Sequence, residues 1–155
     1  MDGSWILWIL LLPLVLFFIM GCIIRLQHRC KREVLRKFKG RKIYGVTSGA
    51  NFFGVESEGW GQMRGNGVLL LADSELYFEM WVPSKKLSIP FSALRGVEVT
   101  MSHLAKTKAR PLLKIHYLNA AGAEDSAAWL MNHLPQWTSA IEKIISLQIQ
   151  PRSTK

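Results

Sequence analysis

The chain begins with one long run of apolar residues. No residue between 3 and 24 is charged, and twenty helical residues at about 1.5 Å each cover about 30 Å, the thickness of a bilayer hydrocarbon core. Trp5 and Trp8 stand near the start, where indole rings favour the headgroup interface, and Pro13 is tolerated because neighbouring groups in a membrane helix satisfy the freed carbonyl. The pattern predicts a transmembrane helix, with a short N-terminal tail, over residues 1–24.

In the segment that follows, basic and apolar positions recur with a helical period. Four arginines at spacings of four, three and four share one helical face, and four apolar residues form a stripe on another. The arginines are Arg25, Arg29, Arg32 and Arg36, and the apolar residues are Leu26, Cys30, Val34 and Phe38. The pattern predicts a basic amphipathic juxtamembrane segment over residues 25–42. In one interpretation it lies on the anionic cytosolic leaflet, and in the other it only fixes the topology.

The remaining chain shows the short alternation that is typical of strands. Residues 68–72 and 76–81 are rich in β-favouring side chains and are separated by Asp-Ser-Glu, so they predict a hairpin. In the segment 112–118, alternate residues place Leu113, Ile115 and Tyr117 on one face and Lys114 and His116 on the other. Further short strands are predicted at 51–56, 86–89, 97–99 and 125–131.

Helical periodicity returns at the end of the chain. Pro135 suits a first helical turn, and Trp137, Ile141 and Ile144 recur at spacings of three to four. Six or seven short strands closed by one helix describe a small antiparallel barrel or curved sheet plugged by that helix. We therefore predict a mainly β domain over residues 43–149, followed by a tail at 150–155.

Seven of the twelve glycines lie between residues 45 and 67, which makes this stretch the least regular. Four of them, at 59, 61, 65 and 67, suggest a phosphate-binding loop, but no Gly-Lys-Ser or Gly-Lys-Thr follows. The next element also has the pattern of a strand and not of a helix. Turns and bulges explain these glycines better.

The positive charge of the chain is concentrated beside the apolar run. The sequence has 20 Lys and Arg against 11 Asp and Glu, and nine of the basic residues but only one acid lie within residues 25–42. These nine are Arg25, Arg29, Lys31, Arg32, Arg36, Lys37, Lys39, Arg41 and Lys42. Outside this segment the chain is nearly neutral, so its domain is not expected to bind nucleic acid. The positive-inside rule predicts a single-pass protein of the plasma or inner membrane, with the N-terminus outside and the C-terminal domain in the cytosol.

The apolar run has two alternative interpretations, a cleaved signal peptide and a lipoprotein signal. A cleaved signal peptide needs a basic first segment, whereas this chain starts with Met-Asp-Gly-Ser. The sequence before Cys22 loosely resembles a lipoprotein processing box, but Met20 fits it poorly and the basic segment would resist export. We expect Cys22 to be a small apolar helix residue, and lipidation of Cys22 or Cys30 stays open.

Two stretches carry a resemblance to a known family. Residues 65–78 (Gly-Asn-Gly-Val-Leu-Leu-Leu-Ala-Asp-Ser-Glu-Leu-Tyr-Phe) and 86–99 (Lys-Leu-Ser-Ile-Pro-Phe-Ser-Ala-Leu-Arg-Gly-Val-Glu-Val) resemble the strand-and-turn pattern of GRAM and bacterial pleckstrin-homology-like domains. The helix at Trp137 is similar to their capping helix. The resemblance implies a pleckstrin-homology-like small barrel of about seven strands, a fold that binds phosphoinositides, other headgroups, peptides or proteins. The phosphoinositide-binding version has cations in its first hairpins, but Arg64 is the only one between residues 43 and 84. We therefore expect no such pocket there.

A second, smaller group of cations is the candidate binding patch. No acid occurs from residue 99 to residue 123, and six basic or titratable residues fall in that stretch: His103, Lys106, Lys108, Arg110, Lys114 and His116. They would contact lipid headgroups or a partner, or else form a solvated loop. Trp60, within the glycine-rich stretch, is a candidate exposed aromatic for membrane or partner contact.

The sequence offers no catalytic or metal-binding constellation. The histidines at 103, 116 and 133 do not fall at metal-ligand spacings, and the domain has no cysteine. No serine lies in a nucleophile elbow. We predict a non-catalytic protein without cofactor or metal, whose cytosolic module binds anionic membrane lipids or a membrane or cytosolic protein. The alternative is a structural subunit that supports assembly of a membrane complex.

Overall fold

The computed structural model describes residues 4–104 and 106–149, with the side chains of 4–10, 106–109 and 149 outside the description. Its first element is a single helix, α1 (Ser4–Lys37), which joins the predicted span to the basic segment without a break. From Leu11 onward α1 is long and apolar enough to cross a membrane, and its most apolar stretch is not buried by the rest of the protein. Phe17, for example, is 80% exposed.

Seven strands and one helix follow α1. They are β1 (Ile43–Val55), β2 (Gly65–Ala72), β3 (Glu75–Met80), β4 (Lys86–Pro90), β5 (Leu94–His103), β6 (Lys106–Leu118), β7 (Glu124–Leu130) and α2 (Leu134–Ile149). They form one antiparallel sheet in the order β4-β3-β2-β1-β7-β6-β5. Seven strands closed by a C-terminal helix confirm the expected pleckstrin-homology-like fold.

The sheet is open, whereas a small barrel was expected. Among the described residues no pairing joins β4 to β5, the two edge strands. A single helical turn, Phe91–Ala93, connects these strands. Ile145 of α2 lies beside Ser92 and Leu94 at that edge, so the helix occupies the place where further pairing would close the barrel.

The glycine-rich stretch contains one long strand and not the short strand predicted at 51–56. β1 has 13 residues, and its pairing shifts register between Ser48 and Ala50 and again between Phe52 and Gly54. Gly49 and Gly54 have φ values of +87° and +120°, which favour glycine. The glycines therefore form bulges that bend a continuous strand. β5 is also longer than the predicted strand at 97–99.

The main core lies between the inner face of the sheet and α2. Leu113, Ile115 and Tyr117 are buried there, and Lys114 and His116 lie on the opposite face, as the alternation predicted. Aromatic side chains form the centre of this core, with ring centroids 5.1 to 5.8 Å apart. They are Phe52, Phe78 and Trp129. Trp137 and Ile141 attach α2 to the same cluster.

The outer face of the sheet has two smaller apolar clusters. The last turns of α1 cover the first cluster, which lies on β2 and β3 and contains Val68, Leu70, Ala72 and Tyr77. The second contains Phe53, Leu112 and Ala128. Here the turn after β5 bends back to β1, and His103 Nε2 lies 3.2 Å from Gly54 O. This bend is possible because the β5–β6 pairing skips residues 108–111 of β6.

Candidate functional site

The basic segment is attached to the domain through its apolar stripe. Val34 is almost completely buried against the first outer cluster, and the Phe38 ring, only 5% exposed, packs 5.0 Å from the Tyr77 ring. Cys30 packs partly against the same cluster, whereas Leu26 is exposed. At Val34 and Phe38 the stripe therefore faces the sheet.

Two of the nine segment cations bind carboxylates of the domain. Lys37 Nζ lies 2.7 Å from Glu79 Oε1, and the Arg41 guanidinium lies 2.6 Å from both Asp73 Oδ1 and Glu75 Oε1. The hydrogen bond from Arg41 lowers the pKa of Asp73. Burial raises the pKa of Glu79, but hydrogen bonds from Lys37 and Tyr77 outweigh this effect, so the net pKa is lowered.

The other cations of the segment do not contact domain carboxylates within the described residues. Arg29 pairs with Glu33 on the helix itself at 3.0 Å, and the Lys42 ammonium lies 5.1 Å from the centre of the Tyr44 ring. The remaining five are Arg25, Lys31, Arg32, Arg36 and Lys39. All but Lys31 are exposed. The segment thus divides into cations that attach α1 to the domain and cations that face solvent or membrane.

The described side chains of the candidate patch differ in their surroundings. His103 is only 4% exposed, and burial lowers the pKa of its imidazole. Lys114 Nζ lies 3.4 Å from Glu98 Oε1, and His116 Nε2 lies 3.3 Å from the same oxygen. The side chains of Lys106 and Lys108 lie outside the described residues.

Among the described members, Arg110 is the cation that has no carboxylate partner, and a headgroup or partner site at this patch stays a prediction. The acids that neutralise Lys114 come from outside residues 99–123. Glu98 is its direct cross-strand partner on β5, and Glu56 Oε2 lies 4.0 Å away, after β1. The pairing of β5 with β6 was the signal that could have found Glu98. Counting acids along one stretch missed it because charges meet across strands.

Arg110 lines a polar groove on the outer face, between α1 and the bent β5–β6 turn. We call this the outer groove; its cavity has a volume of about 310 Å³. Its polar lining residues are Thr47, Ser48, Asn51, Asn66, Arg110 and Asn132. Asn51 Nδ2 donates to Asn66 Oδ1 at 2.9 Å, and Arg110 Nη2 lies 3.4 Å from Asn132 Oδ1. Sequence reasoning missed the asparagines, although asparagine within a strand is unusual enough to mark them.

Exposed apolar side chains lie at one end of the sheet. Trp60 is 68% exposed, as the sequence suggested, and Met63 in the same loop is also exposed. Val82, between β3 and β4, is also exposed. It lies at the same end of the sheet, because β1 and β3 run in the same direction and both loops follow these strands. This end carries exposed apolar side chains, whereas the described lining of the outer groove is mainly polar.

The described residues contain no group of three His, Cys, Asp or Glu side chains that could hold a metal ion. The acids near the end of β1 bind hydroxyls instead. Ser57 Oγ donates to Asp125 Oδ2 at 2.5 Å, and Ser126 Oγ donates to Glu56 Oε2 at 2.5 Å. These bonds fasten the turn after β1 to β7.

Comparison with known proteins gives structural similarity only. No protein-family model matches the sequence, and no curated protein matches it. The C-terminal domain of an unknown protein from Leishmania infantum is similar with a TM-score of 0.51 and 12% identity, over 74% of this chain and 94% of that one. A chain of the 8S snRNP assembly intermediate gives 0.54 and 10%, over 73% and 89%.

A further solved structure, the Vps36 N-terminal PH domain, gives a TM-score of 0.49 and 12% identity, over 72% of this chain and 83% of that one. At such identities the similarity concerns the fold. The seven-stranded antiparallel sheet with its C-terminal helix has the pleckstrin-homology-like architecture that the sequence predicts, and the narrower assignment to the GRAM family stays a prediction.

Proposed function

We propose that the protein is a single-pass membrane protein that holds a non-catalytic pleckstrin-homology-like module against the cytosolic leaflet, where the module binds anionic lipid headgroups. The observation that carries the proposal is the division of α1. Among the described residues, the apolar part of α1 is exposed. The end of the helix packs against the sheet and is joined to it by ion pairs. An exposed apolar helix of this length is stable in a bilayer and costly in water.

The charge distribution supports the orientation and the ligand class. The basic segment follows the span directly, which favours a cytosolic C-terminal domain. Arg25, Arg32 and Arg36 are exposed and lie within the first turns beyond the apolar run. Each cation near an anionic leaflet contributes about 1 kcal/mol of attraction, although such contributions do not add fully.

The proposal is tested on the full-length protein extracted from membranes. The lipids that remain bound are quantified by mass spectrometry and compared with the bulk composition of the same membranes. We expect anionic phospholipids to be enriched several-fold over phosphatidylcholine or phosphatidylethanolamine. Retained lipids in bulk proportions would contradict lipid recognition. A second test fuses a reporter that functions only outside the cytosol after Lys155. Activity of this reporter would contradict the proposed orientation.

A further inference from the structure

The outer groove lies close to the depth at which α1 leaves the membrane. Gln27 Nε2 is 3.2 Å from the position that a Cβ on Gly49 would occupy, and Gly49 lines the groove. Gln27 follows Ile24, the last residue of the uncharged run, by three residues, or about 4.5 Å along the helix. The headgroup layer on each side of the hydrocarbon core is about 5–8 Å thick. One edge of the groove is therefore level with the lipid headgroups.

The chemistry of the groove suits a phosphate group. Among the described side chains, its lining includes one cation, Arg110, and no acid. Within the described residues the only hydrogen-bond partner of the Arg110 guanidinium is Asn132 Oδ1, at 3.4 Å. Because Asn66 Oδ1 accepts from Asn51, the Asn66 amide nitrogen is left as a donor, and Ser48 and Thr47 add hydroxyls. A guanidinium with nearby neutral donors is a common arrangement for binding phosphate oxygens.

On the basis of the proposed function, we propose that the outer groove binds the headgroup phosphate of an anionic membrane phospholipid. Arg110 forms the charge-assisted contact, and Asn66 donates a second hydrogen bond. The lipid's acyl chains stay in the leaflet beside α1. The site is on the outer face between β1, β2 and β7, so it is separate from the loops that hold Trp60 and Val82.

The test is a titration of the full-length protein in detergent with phosphatidylglycerol or phosphatidylcholine, followed by native mass spectrometry. The wild type is compared with Arg110→Gln, with Asn66→Asp, and with Arg95→Gln as a control. Arg95 is an exposed arginine at the α2 edge of β5, and it hydrogen-bonds only backbone carbonyls among the described residues. Its substitution removes the same charge far from the groove. Thermal melting of each variant verifies that the domain is folded.

We expect Arg110→Gln to weaken phosphatidylglycerol binding about tenfold and Asn66→Asp to weaken it as well, while Arg95→Gln stays within twofold of the wild type. If Arg110→Gln and Arg95→Gln weaken phosphatidylglycerol binding equally, or if neither weakens it, the groove is not the phosphate site. Lipid recognition by the protein as a whole would still stand. A wild type that does not prefer phosphatidylglycerol would overturn both. Inorganic phosphate is expected not to displace the lipid at equal concentration, and displacement would assign the groove to free phosphate instead.

Discussion

Lys37 Nζ lies 2.7 Å from Glu79 Oε1, and this contact joins the last turn of α1 to β3, 42 residues further along the chain. Together with the contacts of Arg41, it surrounds the buried Val34 and Phe38 with ion pairs. Helix α1 and the sheet are thus connected by apolar packing and by ion pairs, and each kind of contact can be tested separately.

The first prediction concerns the charge. Glu79→Gln removes the ion pair with Lys37. We expect it to weaken the attachment of α1 to the sheet by only about 0.5–1 kcal/mol, because Lys37 is 42% exposed and solvent screens the pair. Hydrogen exchange of the amides of residues 34–38 in the full-length protein measures this loss. Glu33→Gln is the control, since the pair of Glu33 with Arg29 is confined to the helix. Equal exchange in Glu79→Gln and the wild type would show that packing alone holds α1.

The second prediction concerns the packing. Phe38→Ala removes a ring that is 5% exposed, and we expect it to destabilise the attachment of α1 by about 3 kcal/mol. Exchange should accelerate in the last turns of α1 and on β2 before the main core unfolds. Phe17→Ala deletes a ring of the exposed stretch and should leave the domain unchanged. A Phe38→Ala protein with native protection in α1 would contradict the packed arrangement.

The third prediction compares Gly67, within β2, with Gly61, in the loop before that strand. A Cβ on Gly67 would lie 2.4 Å from Glu79 O and 2.5 Å from Phe78 Cε2, whereas a Cβ on Gly61 meets nothing within 4 Å. We expect Gly67→Ala to lower the unfolding free energy by about 1–3 kcal/mol or more, and Gly61→Ala to change it little. Denaturant titration of both variants measures the difference, and equal midpoints would contradict the close approach of β2 to β3.

The fourth prediction concerns His103. Because burial lowers the pKa of its imidazole, the unfolded chain binds a proton near pH 6.5 while the folded protein does so only at a lower pH. Stability should therefore fall as the pH drops below about 6.5, by at most about 1.4 kcal/mol per pH unit from this group. Unfolding of the full-length protein between pH 7.5 and 5.5 measures this slope.

His103→Gln should flatten that pH slope, whereas His133→Gln should preserve it, because His133 is exposed. A slope that is unchanged in His103→Gln would assign the pH dependence to other groups. The carboxylates of Glu56 and Asp125 and the ammonium of Lys114 influence the pKa of the same imidazole in the folded protein, so their substitution should shift the lower pH at which the slope levels off.

The sequence was sufficient to predict those parts of the fold that depend on local periodicity. The alternation of Leu113, Ile115 and Tyr117 and the Asp-Ser-Glu turn at residues 73–75 each specify a strand or a hairpin without help from distant residues. The open edge was not predictable, because it depends on where α2 comes to lie. The full length of β1 was also missed, since glycines predict loops unless the pairing partners are known.

The functional surface was predicted less completely, for a physical reason. The stripe that contains Val34 and Phe38 follows the apolar run, so no local pattern in the sequence indicates that it packs against the sheet. The outer groove forms only after β1 and β2 have paired and β6 has bent, which brings Gly49, Asn66 and Arg110 together. The partner of Lys114 was not predicted, because strand register, and not proximity in sequence, determines which charges meet.

If α1 spans a bilayer as proposed, its continuity sets the height of the domain above that bilayer. Val34, the buried attachment point, follows Ile24 by ten helical residues, or about 15 Å, without an intervening flexible linker. In the proposed arrangement, the fixed length of α1 keeps the groove edge within reach of the headgroups. Inserting residues between Arg25 and Gln27 would raise and rotate the whole module as one body, by about 100° per residue.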